Sequence, residues 1–514
     1  MNIKKRWGVY RICLILILIL SGFIYFYRLN KESLLTDEYL SLYVAQQPLK
    51  SIIFDHKKPT NPNTMPPLYE ILMHFWLNIF GTNQFAQRSL SALFGILSVY
   101  VLYRLAELLF DKQTGLLSAL FGSLSFSWFC LFRQNRCYSL SILLTLLSFY
   151  LFFYYLKNRD SRASFFSLIA VNILLTYTHY FSFLVILLEV IFVISQWKRY
   201  KQCARNILFM CLVTGIVYLP WYSNFFYDIK REPILLPRMG YSDIFDACKS
   251  LFSIIMVLFF DFHFRWEPVL SIFYIPLIIR GCIRLKKEGA GGFKHLLPYL
   301  IAIFALPFIL VYSFTQSDRI RYYAIFYFPF SILLALGIQK LKMQGIRKFI
   351  YFPMFVFIAC FNVLDFYDFL NCPLYENWRQ AAQYIKDIPD YQNKEMVFVF
   401  QTKYNPPVFA YYFWQNKLSG LFVKNIATYE NYENSISALG TKHKVCIIEE
   451  AGGKEFFDKI ASFPDDAWIW VFRYHDTFFS SNFRALNNGR YFYHRIVLNN
   501  EIPQIDLYLL KKIK

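Results

Sequence analysis

Runs of about twenty mainly apolar residues recur along this chain, from YRICLILILILSGFIYFY near the start to FIYFPMFVFIACFNVLDFY around residue 360. A helix of roughly that length crosses the ~30 Å hydrocarbon core of a bilayer. No water reaches the backbone there, so each crossing run is confined to a helix whose polar groups bond one another. About eleven such runs are present. A composition of 56% hydrophobic, 21% aromatic and 17% charged residues is likewise too apolar for a soluble domain. The chain reads as an α-helical polytopic membrane protein.

A formal net charge of +20 would suit nucleic acid if the cations formed a platform with interleaved aromatics in a soluble segment. They do not. Lys and Arg gather in short loops at alternate ends of the apolar runs, as KKRWGVYR, KNRDSR, KRYKQCAR, IRLKKEGAGGFK and KLKMQGIRK. This is the positive-inside pattern. It puts the N-terminus in the cytoplasm and, with an odd number of crossings, everything after residue 370 outside. No nucleic-acid partner is expected. Lys4, Lys5 and Arg6 precede the first run as in a signal peptide, but the run continues into GFIYFY without a small-residue cleavage site and reads as a retained anchor. The ten cysteines form no CxxC pair, and most, such as Cys13, Cys130, Cys211 and Cys360, fall inside apolar runs as small core residues. Cys372 and Cys446 fall in the predicted exterior part, where a bond between them is left open.

The crossings are drawn at approximately 8–27, 86–109, 114–131, 138–156, 163–179, 181–197, 206–224, 267–283, 296–314, 322–339 and 348–367. Two further apolar pieces, 66–81 and 243–262, begin on the outer side. Counting either as a crossing would invert every later loop, so both are expected to lie along or dip into the outer face. The domains are then a membrane part, 1–370, with an outer loop 28–85, and an exterior part, 371–514. In the latter, strand-like runs EMVFVF, KVCIIEE, AWIWVFRYH, YFYHRIVL and DLYLLKK alternate with helical ENWRQAAQYIKDI, PPVFAYYFWQ and KEFFDKIASF. That alternation predicts a small α/β domain without a phosphate-cradling glycine loop.

With this topology, polar residues collect at the outer helix ends: Asp37 and Glu38 in LLTDEYLSLY, Arg133 and Arg136 in FRQNRCYSL, His179 in YTHYF, Arg319 and Arg321 in SDRIRYY. Ionisable groups near a membrane are costly unless paired or used, and several converging on one face suggest a site. Each has a plain reading too. The acids can cap a helix, the arginines can anchor to lipid headgroups, and the histidine can be a satisfied interfacial residue. As a functional set they offer a carboxylate to accept a hydroxyl proton and guanidinium forks to hold a phosphate. Neighbouring residues point in different directions on a helix or strand, so Asp37 and Glu38 do not make the facing carboxylate pair of a glycosidase. One acid is assigned to chemistry and the other to shaping the loop.

TDEYLSLY, followed by NTMPPLYEILMHFWLNIFGTNQFAQRSLSALFGILSVYVLYRLAELLF, resembles the first outer loop and second span of GT-C glycosyltransferases of the family 39 type. That group includes protein O-mannosyltransferases and lipid A aminoarabinose transferases. RQNRCYSLSILL, THYFSFL, RIRYYAIFYFPFSILLALGI and ENWRQAAQYIKDIPD resemble later elements of the same group in the same order. The resemblance implies an inverting transfer of a sugar from a polyprenyl-phosphate donor to a hydroxyl of a lipid, glycan or protein acceptor, at the outer face of the cytoplasmic membrane. It implies Asp37 as general base with Glu38 beside it. The convergence at the outer helix ends adds Arg133, Arg136, Arg319 and Arg321 as binders of the donor phosphate, with Tyr69 and His179 lining the cavity. Many relatives carry His before Pro-Pro-Leu-Tyr where this chain has Met65, so no role is carried over from that position. No metal-ligand spacing such as HxxxH supports a divalent ion, and no metal or cofactor is assigned. A transporter or flippase for lipid-linked sugars, a glycan polymerase or ligase, and a non-catalytic membrane scaffold whose C-terminal domain binds partners are the rival readings. Against the transporter stand the charges, which gather at one face rather than at the bilayer midplane.

Overall fold

A computed structural model of the chain describes residues 3–58, 65–231, 267–288, 296–315, 320–339, 367, 378–389, 391–400, 405–413, 443–447, 467–474, 491–496 and 505–512. Its helices in chain order are α1 (Ile3–Phe26), α2 (Thr36–Ala45), α3 (Leu49–Phe54), α4 (Leu68–Phe80), α5 (Gln84–Leu109), α6 (Lys112–Ser123), α7 (Phe126–Phe132) and α8 (Tyr138–Lys157). They continue as α9 (Arg162–Thr176), α10 (Phe183–Ser195), α11 (Trp197–Arg231), α12 (Glu267–Glu288), α13 (Leu296–Thr315), α14 (Phe328–Ile338), α15 (Trp378–Lys386) and α16 (Asn405–Phe413).

Two compact units divide the chain: Met1–Leu29 with Thr64–Tyr367, and Asn30–Asn63 with Asp368–Lys514. Residues 30–63 of the outer loop cluster with the C-terminal unit and not with the helices. The reason is local: the chain entering α2 bonds to α15 and α16, as set out below.

Among the described residues of the helical unit, α1, α5, α8 and α11 are each long and apolar enough to cross a membrane, and α6 with α7 forms a fifth candidate span bent by 65°. The protein is an integral membrane protein. Each crossing drawn up to residue 339 falls on one of the helices, while 348–366 and the in-plane piece 243–262 lie outside the described residues.

Two crossings differ in form from the straight rods drawn. The 114–131 run breaks after Ser123 because Ser125 starts a new helix, its side chain accepting from Trp128 N at 3.4 Å. The 322–339 run opens as two 3-10 turns, Ile320–Tyr322 and Ala324–Phe326, before α14 begins. Pro329 near the start of α14 has no N–H to donate, and its ring disfavours helical backbone before it, which favours a helix start at this point. The 66–81 piece is α4, a helix of 13 residues about 20 Å long. One face buries Tyr69, Glu70, Met73 and Leu77, while Phe75, Ile79 and Phe80 remain exposed.

Where α12 crosses α14 the backbones touch. A Cβ on Gly281 would lie 2.1 Å from Leu333 O, and one on Gly337 would lie 2.0 Å from Leu277 O. Only glycine fits at either position, as at other close helix crossings in membranes. The same approach lets Arg280 Nε donate to Gly337 O at 2.8 Å and Arg284 Nη1 to Leu336 O at 3.1 Å, occupying carbonyls at the end of α14.

A second buried knot joins four helices. Ser148 Oγ on α8 lies 2.7 Å from Asn172 Oδ1 on α9 and 2.6 Å from Glu189 Oε1 on α10. Asn172 Nδ2 donates to Glu189 Oε2 at 3.0 Å and to Met210 Sδ on α11 at 3.2 Å. Ser148 has one hydrogen for two oxygen neighbours, and neither Asn172 Oδ1 nor an ionised carboxylate can donate. Exchanging the amide atoms of Asn172 only moves the conflict to Oε2. The contacts close when Glu189 carries a proton and donates to Ser148. Glu189→Gln supplies the same donor and acceptor, so its thermal unfolding should match that of wild type. Glu189→Ala strands buried partners at about 1–3 kcal/mol each and should lower the unfolding temperature; equal damage from both variants would contradict the proton assignment.

The second unit carries a five-stranded sheet in the order β2 (His443–Ile447), β1 (Met396–Phe400), β3 (Trp468–Tyr474), β5 (Ile505–Lys512), β4 (Tyr491–Ile496). β1 runs parallel to β2 and β3, and β5 runs antiparallel to β3 and β4. Each of the five strand-like runs yields a strand. Of the three helical runs, two are α15 and α16; KEFFDKIASF lies outside the described residues, as does Cys372. All five residues of β1 are buried, as expected of a central strand covered on both faces. Phe400 stacks on its register partner Phe472 at 4.6 Å between ring centroids. Phe409 of α16 and Trp378 of α15 pack against that pair. α15 buries Trp378, Ala381, Ala382 and Ile385, a helical stripe of one face.

Candidate functional site

Arg136 stands in the irregular link between α7 and α8, on a tight turn where its N–H donates to Gln134 O at 2.8 Å. Arg321 stands in the 3-10 turn ahead of α14. Trp128 Nε1, on α7, donates to Ala324 O at 2.8 Å and ties these two irregular segments together. The result is that both guanidiniums approach one ring, each Cζ lying 5.9 Å from the Tyr138 centroid. Arg321 Cζ also lies 5.5 Å from the ring of Tyr322. Cation–π attraction contributes about 0.5–2 kcal/mol per contact and helps hold two like charges side by side.

His179 completes this cluster from the link between α9 and α10. Its ring centroid is 5.7 Å from Tyr138 and 6.3 Å from Tyr322. Nδ1 accepts from Phe181 N at 3.2 Å, so Nε2 carries the hydrogen of the neutral ring; Nε2 finds no hydrogen-bond partner among the described residues. Burial, and then the charges of Arg136 and Arg321, hold the imidazole down to a pKa of about 3. A neutral imidazole presenting an N–H and two guanidiniums supply donors suited to an anion, with the Glu70 carboxylate close enough to act on the intervening Cys137.

α4 reaches the same region because Leu68 N donates to Tyr177 O at 3.0 Å. The Tyr69 hydroxyl donates to Asn135 Oδ1 at 3.0 Å and, at 2.8 Å, pairs with Ser91 Oγ. Tyr69 thus braces the residue next to Arg136. Cys137, between Arg136 and Tyr138, is raised to about 12 by burial, with Arg136 opposing and Glu70 adding. The thiol is inert, and its environment records the charges around it: Arg136, Glu70 and Arg321.

Arg133 goes elsewhere. Its Nη1 donates to Tyr27 O at 2.7 Å, Tyr25 O at 3.3 Å and Ile24 O at 3.4 Å, and its Nη2 to Arg28 O at 3.4 Å. These are the carbonyls at the end of α1, where Arg28 sits at a left-handed φ of 52°. Arg133 is a buried cap on a helix C-terminus, favourable in both hydrogen bonding and dipole terms. Arg133→Ala strands several buried carbonyls at about 1–3 kcal/mol each and should lower the unfolding temperature while leaving the affinity of the folded protein for phosphate lipids unchanged. Weakened lipid binding in a protein that unfolds at the wild-type temperature would contradict that reading. Arg319 lies outside the described residues.

In the second unit, α2 is buried along its length except at Asp37, which is half-buried in the first turn. Glu38 is fully buried, and its Oε2 accepts from Leu35 N at 2.9 Å, closing the N-terminus of α2. The adjacent acids therefore differ in surroundings: Glu38 is fully buried and bound into the helix start, and Asp37 is half-buried. Among the described residues no group of three or more His, Cys, Asp or Glu is arranged to hold a metal ion.

Sequence reasoning passed over Glu70, Asn135, Tyr138 and Tyr322. Glu70 had a signal, as the single acid of α4, and the tyrosines stand close in sequence to the arginines they meet, Tyr322 directly after Arg321 and Tyr138 two residues after Arg136.

Residues 64–223 match the family model for dolichyl-phosphate-mannose-protein mannosyltransferase. Comparison with curated protein sequences gives no significant match. Among solved structures, the oligosaccharyltransferase of Archaeoglobus fulgidus in its apo form aligns at a TM-score of 0.52 and 13% identity, over 90% of this chain and 69% of that one. Its complex with Zn and sulfate aligns at 0.51 and 13%, over 79% of this chain and 61% of that one. ArnT from Cupriavidus metallidurans in the apo state aligns at 0.48 and 12%, over 99% of this chain and 98% of that one. The chain thus spans about 61% to 69% of the archaeal enzyme's length. Likeness at such low identity speaks for the fold, and the fold is GT-C.

Proposed function

We propose that this GT-C chain is a membrane glycosyltransferase that moves a sugar from a polyprenyl-phosphate donor to a hydroxyl of a lipid, glycan or protein. The observation that carries the reading is the convergence of Arg136, Arg321 and neutral His179 around Tyr138. Arg136 and Arg321 take the donor phosphate, and the His179 N–H adds a hydrogen bond to it. Arg133 is left out because its guanidinium caps α1. Arg319 joins the donor-binding set on its sequence position alone.

The reaction divides between a base and an anion site. Asp37 takes the proton of the acceptor hydroxyl, and that oxygen forms a bond to the anomeric carbon. The bond from that carbon to the phosphate oxygen breaks, and its electron pair leaves with polyprenyl phosphate. The leaving phosphate gains negative charge as it departs, and guanidiniums aimed at it stabilise the transition state more than the ground state. Attack opposite the leaving group inverts the anomeric centre. Glu38 holds the start of α2, and Tyr69 braces the Arg136 turn. No metal or other cofactor is invoked. The chain belongs in the cytoplasmic membrane, with its C-terminal unit outside, on the positive-inside distribution of its loops.

A carrier of lipid-linked sugars is the second reading, favoured by the 65° break between α6 and α7, since transporters often use interrupted helices. Incubating the purified, vesicle-reconstituted protein with a panel of labelled polyprenyl-phosphate sugars and a mixed acceptor extract separates the two. The transferase reading expects one sugar to be consumed and polyprenyl phosphate to be released. Labelled lipid that changes leaflet with its sugar still attached would replace it with the carrier.

A further inference from the structure

Five consecutive residues, 30–34, lead into the helix that carries Asp37, and two side chains of the C-terminal fold hold them. Arg379, on the first turn of α15, spreads its guanidinium over successive carbonyls: Nη1 donates to Asn30 O at 3.2 Å and Lys31 O at 3.1 Å, and Nη2 to Asn30 O at 3.2 Å. Its backbone N–H donates to Ser33 Oγ at 3.1 Å. Tyr412, on α16, accepts from Leu34 N at 2.7 Å. The guanidinium also lies 5.6 Å from the Tyr412 ring, so the two side chains brace each other. Lys386, in the last turn of α15, donates to Tyr412 O at 2.8 Å and fixes α16 to α15. One residue further, Leu35 N is taken by Glu38, and α2 starts. Tyr39 meets Tyr411 edge to face at 5.8 Å.

Every contact in this chain of bonds lies within the second unit, which explains why 30–63 clusters there. A loop needs no such clamp merely to remain on a surface. This one fixes the approach angle and axial position of a ten-residue helix whose single half-buried residue is a carboxylate.

We propose that Arg379 and Tyr412 are positioning residues for Asp37, and that the C-terminal α/β fold serves as the mount for the helix bearing the base. The proposal rests on the reading of Asp37 as general base. Misplacing a reacting group by about 1 Å can cost about 10²-fold in rate, whereas binding of a phosphate lipid makes no demand on that helix. Losing the clamp should therefore lower kcat and spare donor affinity.

The test uses the full-length protein in lipid nanodiscs, comparing wild type, Arg379→Ala, Arg379→Lys, Tyr412→Phe and Asp37→Asn. The turnover probe is the labelled polyprenyl-phosphate sugar consumed in the panel above, and the binding probe is undecaprenyl phosphate. Arg379→Ala should lower kcat by about 10- to 100-fold, leave undecaprenyl phosphate binding within threefold, and speed amide exchange at residues 34–38. Arg379→Lys, which restores a cationic donor, should recover part of kcat, and Tyr412→Phe should lose less than Arg379→Ala. Wild-type kcat and exchange in Arg379→Ala, or a fall in kcat matched by an equal fall in binding, would overturn the proposal. Asp37→Asn keeps the two readings apart. If it is inactive while Arg379→Ala turns over normally, the mount is wrong and the base stands; if it is active, the base itself is wrong.

Discussion

Asp37→Asn should cut sugar transfer by about 10² to 10⁴-fold, the usual contribution of a positioned general base, in a protein that still folds and inserts. The substitution removes the proton acceptor and keeps the side-chain shape, and loss of the negative charge in the first turn of α2 costs only about 0.3–1 kcal/mol of helix-dipole interaction. The neighbouring acid sets the contrast. Glu38 accepts from Leu35 N in a fully buried position, so Glu38→Gln keeps an acceptor there and should retain most activity. Turnover of the consumed donor by the two variants, beside their unfolding temperatures, checks the pair. Near-normal transfer by Asp37→Asn would remove the general-base assignment.

Losing both Arg136 and Arg321 should be the second large effect. Hydrogen bonds to charged groups contribute about 1.5–3 kcal/mol each, so each single Ala substitution should weaken donor binding by about 10- to 100-fold. The double variant should fall short of the product, because two guanidiniums around one ring share the same anion and do not act independently. Arg→Lys at either site keeps the charge but loses the planar fork, so it should recover only part of the affinity. The response should be sharper in kcat/KM than in kcat if the arginines hold the phosphate in the ground state, and should appear in both if they act mainly on the leaving group. His179 adds a pH signature. Held near a pKa of about 3, it stays neutral across the working range, so any change in donor affinity between pH 5 and 8 should persist in His179→Gln.

The membrane architecture was legible because bilayer thickness demands long apolar runs, and the strands of the second unit because β-branched and aromatic runs are short and bounded. What escaped was decided by single contacts. The break between α6 and α7 turns on Ser125, a residue with no strong helix-breaking character until its hydroxyl takes Trp128 N. Arg133 and Arg136 look equivalent in FRQNRC, yet a side chain three residues earlier points toward the end of α1, whose carbonyls it satisfies. The membership of residues 30–63 could not be read from their own composition, because the partners that hold them, Arg379 and Tyr412, are about 350 residues away or more. Glu189 was readable in principle: a lone acid in FLVILLEVIFVIS is costly unless it has partners, but which serine and asparagine it meets depends on how three helices align. Glu70 belongs to the same kind, a single acid in α4 whose neighbourhood is set by the turn before α8.

Equilibrium binding of undecaprenyl phosphate, a lipid that carries the phosphate and no sugar, tests the division of labour most directly. Measured in nanodiscs for wild type, Asp37→Asn and the Arg136→Ala/Arg321→Ala double variant, it should give equal affinity for the first two and a loss of at least about 30-fold for the third. Full binding by the double arginine variant, or a comparable loss in Asp37→Asn, would contradict an account in which the arginine cluster holds the phosphate and Asp37 takes the proton.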